Sequence, residues 1–111
     1  MSAFLVASYR VTNPEGFAPY PERSIPTVLQ HGGEILAADF ASDAVEGPAP
    51  HTTVILRFPD KDAMRRWYQS DAYQAIAHLR RDNTEGSIVF IDEFVMPEDA
   101  RPAVQEGRMP G

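Results

Sequence analysis

An α+β fold of element order βαββαβ is predicted by two features of the sequence: strand-length apolar runs alternating with capped helical segments, and a strand-to-helix passage whose punctuation is explicit. That passage runs over residues 52 to 84. Val54, Ile55 and Leu56 alternate into Arg57 and Phe58, and Pro59, which cannot donate to a sheet ladder, ends the strand. Asp60 follows as an N-cap, with Asp62 in the first helical turn where the helix dipole favours negative charge. Ser70 is a second N-cap at which the helix restarts, and Tyr73, Ile76, Ala77 and Arg80 recur after it at three-and-four spacing.

The remaining elements follow in order. Residues 3 to 11 read as the first strand, with Leu5, Ala7, Tyr9 and Val11 on one face and Phe4, Val6, Ser8 and Arg10 on the other. Asn13-Pro14 supplies a cap and a proline at the first helical position of a segment interrupted by Pro19, Pro21 and Pro26. This helix is expected to be broken, its best part beginning near Pro26 and stopping at Gly32 in the left-handed conformation. Residues 33 to 40 read as a short second strand, and residues 41 to 51, with Gly47, Pro48 and Pro50, as a loop. Gly86 is expected to end the second helix, and residues 87 to 94 to form the fourth strand. One domain spanning residues 1–95 and an extended or disordered tail over residues 96–111, rich in proline and mixed charge, complete the chain.

Neither face of the expected sheet is polar. Phe4, Val6, Ile55, Val89 and Ile91 lie out of phase with Leu5, Val54, Leu56, Ile88 and Phe90, so both faces need cover. Helices cover one, and a second copy of the sheet is the simplest cover for the other, which predicts a homodimer.

Composition excludes several function classes. A formal net charge of −6 with no basic run longer than Arg65-Arg66 or Arg80-Arg81 repels polyanions, so nucleic acid is not expected as a partner. The absence of cysteine excludes disulfides, thiolate zinc sites and cysteine nucleophiles, and fits a reducing, cytoplasmic setting. The first ten residues carry no positive segment ahead of their apolar residues, and no run reaches bilayer length, so neither signal nor membrane association is expected. His31, His51 and His78 show no metal-ligand spacing, and no P-loop, GxGxxG or serine elbow is present; no metal and no cofactor is expected.

The candidate site residues cluster on the strand-to-helix passage. On one continuous helix, eleven residues at about 100° each bring His78 within about 20° of Trp67, which points to a pocket with an aromatic wall and a titratable group. The plainer alternative makes Trp67 and Tyr73 core anchors and His78 a surface residue. Arg57 and Arg80 are permanent cations able to hold a carboxylate or enolate, unless Asp92 or Glu93 pairs with them internally. Catalytic candidates are His78, Tyr9 and Glu93; ligand-binding candidates are Tyr20, Arg57, Trp67, Ser70, Tyr73 and Arg80, with Ser8 as a further hydroxyl and the proline-broken segment as a lid.

Several of these positions together carry a family resemblance. Gly32-Gly33, Val45-Glu46-Gly47, the run Val54 through Pro59, then Trp67-Tyr68, Ser70, Tyr73-Gln74 and Arg80 resemble the small bacterial family called domain of unknown function 1330, over roughly residues 3 to 94. The resemblance implies a ferredoxin-like chain with a four-stranded antiparallel sheet that pairs into a dimeric α+β barrel, and implies no activity. Where many relatives carry an Arg and paired Gly after the second strand, this chain has Ala38-Asp39-Phe40, which removes one cation and places an acid there. The haem-degrading monooxygenases of the same architecture look locally similar, but their axial His falls where this chain has Ala77, with His78 one step late.

The expected function is binding of a small organic molecule, acidic in character, between sheet and helices, with cofactor-independent oxygenase or isomerase chemistry as its catalytic form. A non-catalytic structural or binding dimer is the alternative, and a haem monooxygenase a remote one.

Overall fold

The structure is a computed structural model that describes residues 1–48 and 51–97. Its elements are β1 (Ala3–Val11), α1 (Pro14–Phe17), α2 (Tyr20–Gln30), β2 (Glu34–Asp39), β3 (Thr52–Phe58), α3 (Lys61–Gln69), α4 (Asp71–Arg81) and β4 (Thr84–Asp92). All strand pairs are antiparallel, in the spatial order β2-β3-β1-β4, so β1 and β3 occupy the centre. This is the ferredoxin-like arrangement, with each of the two helical segments split in two. Beyond residue 97, the expected tail lies outside the described residues.

Register divides the sheet into the two faces the alternation predicts. Leu5 sits opposite Leu56 and Phe90, and Ala7 opposite Val54 and Ile88, beneath the helices. Leu5 and Leu56 are buried there with Phe58, Met64 and Trp67. On the opposite face Val6 is flanked by Ile55 and Val89, and Phe4 by Arg57 and Ile91. Among the described residues no helix covers that face, and Val89 and Ile91 remain 47% and 44% exposed.

The local signals explain most helix boundaries. Asn13 accepts a hydrogen bond from the Gly16 amide, and Asp60 accepts one from Ala63 at 2.7 Å, so both caps act as the residue types require. The first helical segment breaks at Ala18 and Pro19, not near Pro26, because Pro21 falls in the first turn of α2 where its missing N–H costs nothing. Pro26 lies inside α2. Two nearby carbonyls also accept from side-chain hydroxyls: Ser24 Oγ donates to Pro21 and Thr27 Oγ1 to Ser24 at 2.6 Å. Gly32, at φ 78°, ends the segment as expected.

Two boundaries differ from expectation. Helix α4 stops at Arg81 without help from glycine, and β4 begins at Thr84, so Gly86 lies within the strand. A Cβ on Gly86 would lie 2.3 Å from the Ser8 carbonyl oxygen, so this glycine serves the close approach of β4 to β1. Strand β2 also carries an irregularity between Ile35 and Ala37, which keeps Ile35 and Ala38 on the helix side opposite Leu56 and Val54.

Two substitutions test this packing by denaturant melts. Trp67→Ala empties a site only 2% exposed and is expected to cost on the order of 3 to 5 kcal/mol. Gly86→Ala drives a methyl group into backbone that cannot rotate away, with an expected loss of about 3 kcal/mol.

Candidate functional site

The break at Ser70 sets the geometry of the site. Ser70 adopts extended backbone (φ −64°, ψ 148°), donates its hydroxyl to the Trp67 carbonyl at 2.6 Å, and accepts from the Tyr73 amide at 3.2 Å. One residue therefore closes α3 and opens α4. The turn packs Trp67 against Tyr73, with ring centroids 4.2 Å apart and the rings tilted by 40°, and the Phe58 ring lies 5.4 Å from Trp67 on the strand side. The indole N–H donates to Thr27 Oγ1 at 3.0 Å, which ties α3 to α2.

The break also overturns the continuous-helix expectation for His78. Restarting at Ser70 resets the helical phase, so Ala77 becomes fully buried while His78 is exposed and stands apart from the cleft. A haem iron would find no imidazole among the described residues lining the cleft. No group of three or more His, Cys, Asp or Glu among the described residues is placed to hold a metal ion.

The cleft opens between α2 and the helix-side face of the sheet, with a cavity volume of about 90 Å³. Its floor is Leu5, Ala7, Val54, Leu56 and Ile88, its end wall is Trp67, and its α2 wall is Pro21, Ser24, Ile25 and Val28. Ile35, Ala38 and Phe40 complete the β2 side. Within this apolar surface stand Tyr9, Tyr20 and Arg80. The α2 wall follows i, i+3, i+4, i+7 spacing, a readable signal that the three prolines obscure.

Of the other candidate residues, some lie elsewhere. Arg57 is on the uncovered sheet face, where it donates to Glu34 Oε1 at 2.9 Å and to Ser2 Oγ at 3.1 Å. Ser8 shares that face, because its register partners are Thr53 and Ser87. Glu93 binds the Ser2 amide through its side chain, outside the cleft lining. Ser70 is occupied as the cap, and Asp39 is exposed and accepts from the Ala41 amide, so its charge does not enter the cleft. Tyr73 lies behind the cleft, fully buried, and joins its hydroxyl to that of Tyr20 at 2.7 Å.

Arg80 is the electrostatic centre. Its Nε donates to Tyr73 Oη at 3.4 Å, and none of the three ion pairs among the described residues includes it: those are Arg10–Glu85, Arg57–Glu34 and Lys61–Asp92. The internal pairing with Asp92 or Glu93 weighed from sequence is therefore not made; Asp92 pairs with Lys61. Burial opposes the charged form of Arg80, but the Tyr73 and Tyr20 oxygens outweigh it and hold its pKa above the ordinary arginine value. Burial pushes the Tyr9 phenol up to about 12, with Arg80 pulling partly against it, and pushes Tyr20 up as well, assisted by its contact with Tyr73. At neutral pH the cleft presents one cation and neutral phenols, and no Asp, Glu or His among its described lining residues.

Raised phenol values have a stability consequence. The unfolded phenol ionises near 10, below the folded value of about 12 for Tyr9, so the stabilisation is intact below pH 10 and is lost as pH rises toward 12. Ultraviolet titration is expected to show the Tyr9 and Tyr20 phenols ionising late, with alkaline unfolding setting in above pH 10. In Tyr9→Phe the same loss should be smaller.

No curated protein matches the chain. A protein of unknown function from Rhodopseudomonas palustris is similar at 16% identity with a TM-score of 0.71, covering 86% of this chain and 84% of that one. SnoaB, a cofactor-independent oxygenase from Streptomyces nogalater, is similar at 14% identity and a TM-score of 0.62, over 87% and 97% of the two chains. A nipsnap family protein of unknown function from Agrobacterium tumefaciens aligns at 19% identity and a TM-score of 0.57, over 80% and 83%. At these identities the likeness is one of fold: the ferredoxin-like α+β fold of the dimeric-barrel proteins. The model of the family described as "Domain of unknown function (DUF1330)" matches residues 2–94, and the chain belongs to that family.

Proposed function

We propose that the protein is a homodimer that binds a small, largely apolar organic anion in the cleft between α2 and the sheet. The observation that supports this most directly is Arg80: a partly buried guanidinium, facing an apolar cavity, with no carboxylate partner among the described residues. A cation withdrawn from water without a counter-charge is costly, and internal arginines ordinarily find an acid. A bound carboxylate, phenolate or enolate supplies that counter-charge, and the surrounding Leu, Ile, Val and Trp surface takes its apolar body.

The dimer rests on the uncovered sheet face. Phe4, Val6, Ile55, Val89 and Ile91 form a contiguous apolar strip across three strands, and a two-fold copy of the same strip is the simplest complementary surface.

A second reading, cofactor-independent oxygenation or isomerisation of the bound anion, is favoured by the lining itself. The described lining residues include no carboxylate or imidazole base, so a substrate acidic enough to arrive ionised needs none from them, while Arg80 and the phenols stabilise its oxyanion. SnoaB supports this reading through shared architecture alone.

Arg80→Ala is expected to abolish binding of acidic aromatic probes while lowering stability by only about 1 kcal/mol, since no acid is left unpaired. A loss on the order of 3 to 5 kcal/mol would mark Arg80 as a structural partner instead. Sedimentation is expected to give twice the 12.3 kDa chain mass, and Val89→Glu to yield a monomer; a wild-type monomer at micromolar concentration refutes the dimer.

A further inference from the structure

We infer that Arg80, Tyr73 and Tyr20 form a one-way hydrogen-bond chain that leaves the Tyr20 hydroxyl hydrogen directed at the ligand, so that the site favours an oxygen that only accepts: an ionised phenolate, enolate or carboxylate. The inference rests on the reading of the cleft as an anion site, and adds to it the ionisation state of the ligand and a positioning residue, Tyr73.

The direction of the chain follows from donor counting. A guanidinium carries only donors, so in the 3.4 Å contact Arg80 Nε donates and Tyr73 Oη accepts. Tyr73 has one hydroxyl hydrogen, is fully buried, and its hydroxyl has one further partner among the described residues, Tyr20 Oη at 2.7 Å. If Tyr20 donated in that pair, the Tyr73 hydrogen would be stranded in the core without an acceptor. Tyr73 therefore donates to Tyr20, and the hydrogen of Tyr20 is left over. Tyr20 lines the cleft, so that hydrogen is offered to whatever lies there.

Three features reinforce this arrangement. The chain begins at a permanent cation, and each bond polarises the next, so Tyr20 is a stronger donor than an isolated phenol. Tyr9 lines the same cleft, and its hydroxyl makes no hydrogen bond among the described residues, which gives the ligand a second donor. The titratable groups facing the ligand are Tyr9, Tyr20 and Arg80, with Tyr73 behind them, and no carboxylate or imidazole among the described lining residues offers an acceptor to a protonated ligand. A neutral phenol brought here presents its own hydrogen to a ring of donors; the phenolate does not.

4-Nitrophenol tests this directly, since its colour reports its ionisation, with nitrobenzene as a neutral probe of similar shape. Wild-type protein is expected to bind nitrophenolate at least tenfold more tightly than nitrophenol, which lowers the apparent pKa of the bound probe by about one unit or more. Tyr20→Phe is expected to weaken nitrophenolate about tenfold and to leave nitrobenzene unchanged. Tyr73→Phe, which does not line the cleft, is expected to shrink the pKa displacement severalfold, an effect that core packing alone would not produce. If Tyr73→Phe does not fold, Tyr20→Phe decides. Nitrophenolate binding that depends on Arg80 but is indifferent to Tyr20→Phe overturns the chain and leaves the anion site standing. Failure of wild-type protein to bind either probe overturns the cleft reading, and this inference with it.

Discussion

The turn at Ser70 is the constraint on which the rest of the structure depends. By using one hydroxyl to end α3 and begin α4, it folds Trp67 back against Tyr73 and fixes the phase of everything that follows. Ala77 then faces the core, His78 faces out, and Arg80 arrives at the cleft within the last turn of α4. A continuous helix of the same residues would have buried the imidazole and turned the guanidinium elsewhere. The indole bond to Thr27 extends the constraint to α2, whose own hydroxyl bonds stabilise the stretch around Pro26.

The cleft is a balance between two costs of burial. Phenols withdrawn from water hold their protons more tightly, which makes Tyr9 and Tyr20 donors across the physiological range. The same burial works against the charge on Arg80, yet the phenol oxygens around it restore the charged form. The result is a site rich in donors and poor in acceptors, lined by aliphatic and aromatic surface. Such a lining suits recognition of a conjugated oxyanion better than abstraction of a proton, because no described lining residue carries a carboxylate or imidazole.

The two faces of the sheet divide the work. One carries the core and the cleft beneath the helices, and the other carries an apolar strip bordered by the Arg57–Glu34 and Arg10–Glu85 pairs. Arg57 belongs to that border, and its pairing with Glu34 is a partly exposed contact of modest energy. Two arginines that look equivalent in sequence are thus separated by the thickness of the sheet.

The sequence by itself determined the element order, the caps at Asn13, Asp60 and Ser70, the stop at Gly32 and the two-faced apolar sheet, because each is written in neighbouring residues or in a period of two. It also marked Tyr9, Tyr20, Trp67 and Arg80, which the fold gathers around one cleft. Only the tertiary structure decided the rest. The place where the first helical segment breaks depends on which proline falls in a first turn, and Gly86 reads as a helix stop until the approach of β1 is known. The exclusion of His78, Arg57, Ser8 and Glu93 from the cleft, and the recruitment of Ile35 and Ala38 past an irregular β2, depend on phase and register. Those are set by packing between segments distant in sequence, and no local pattern encodes them.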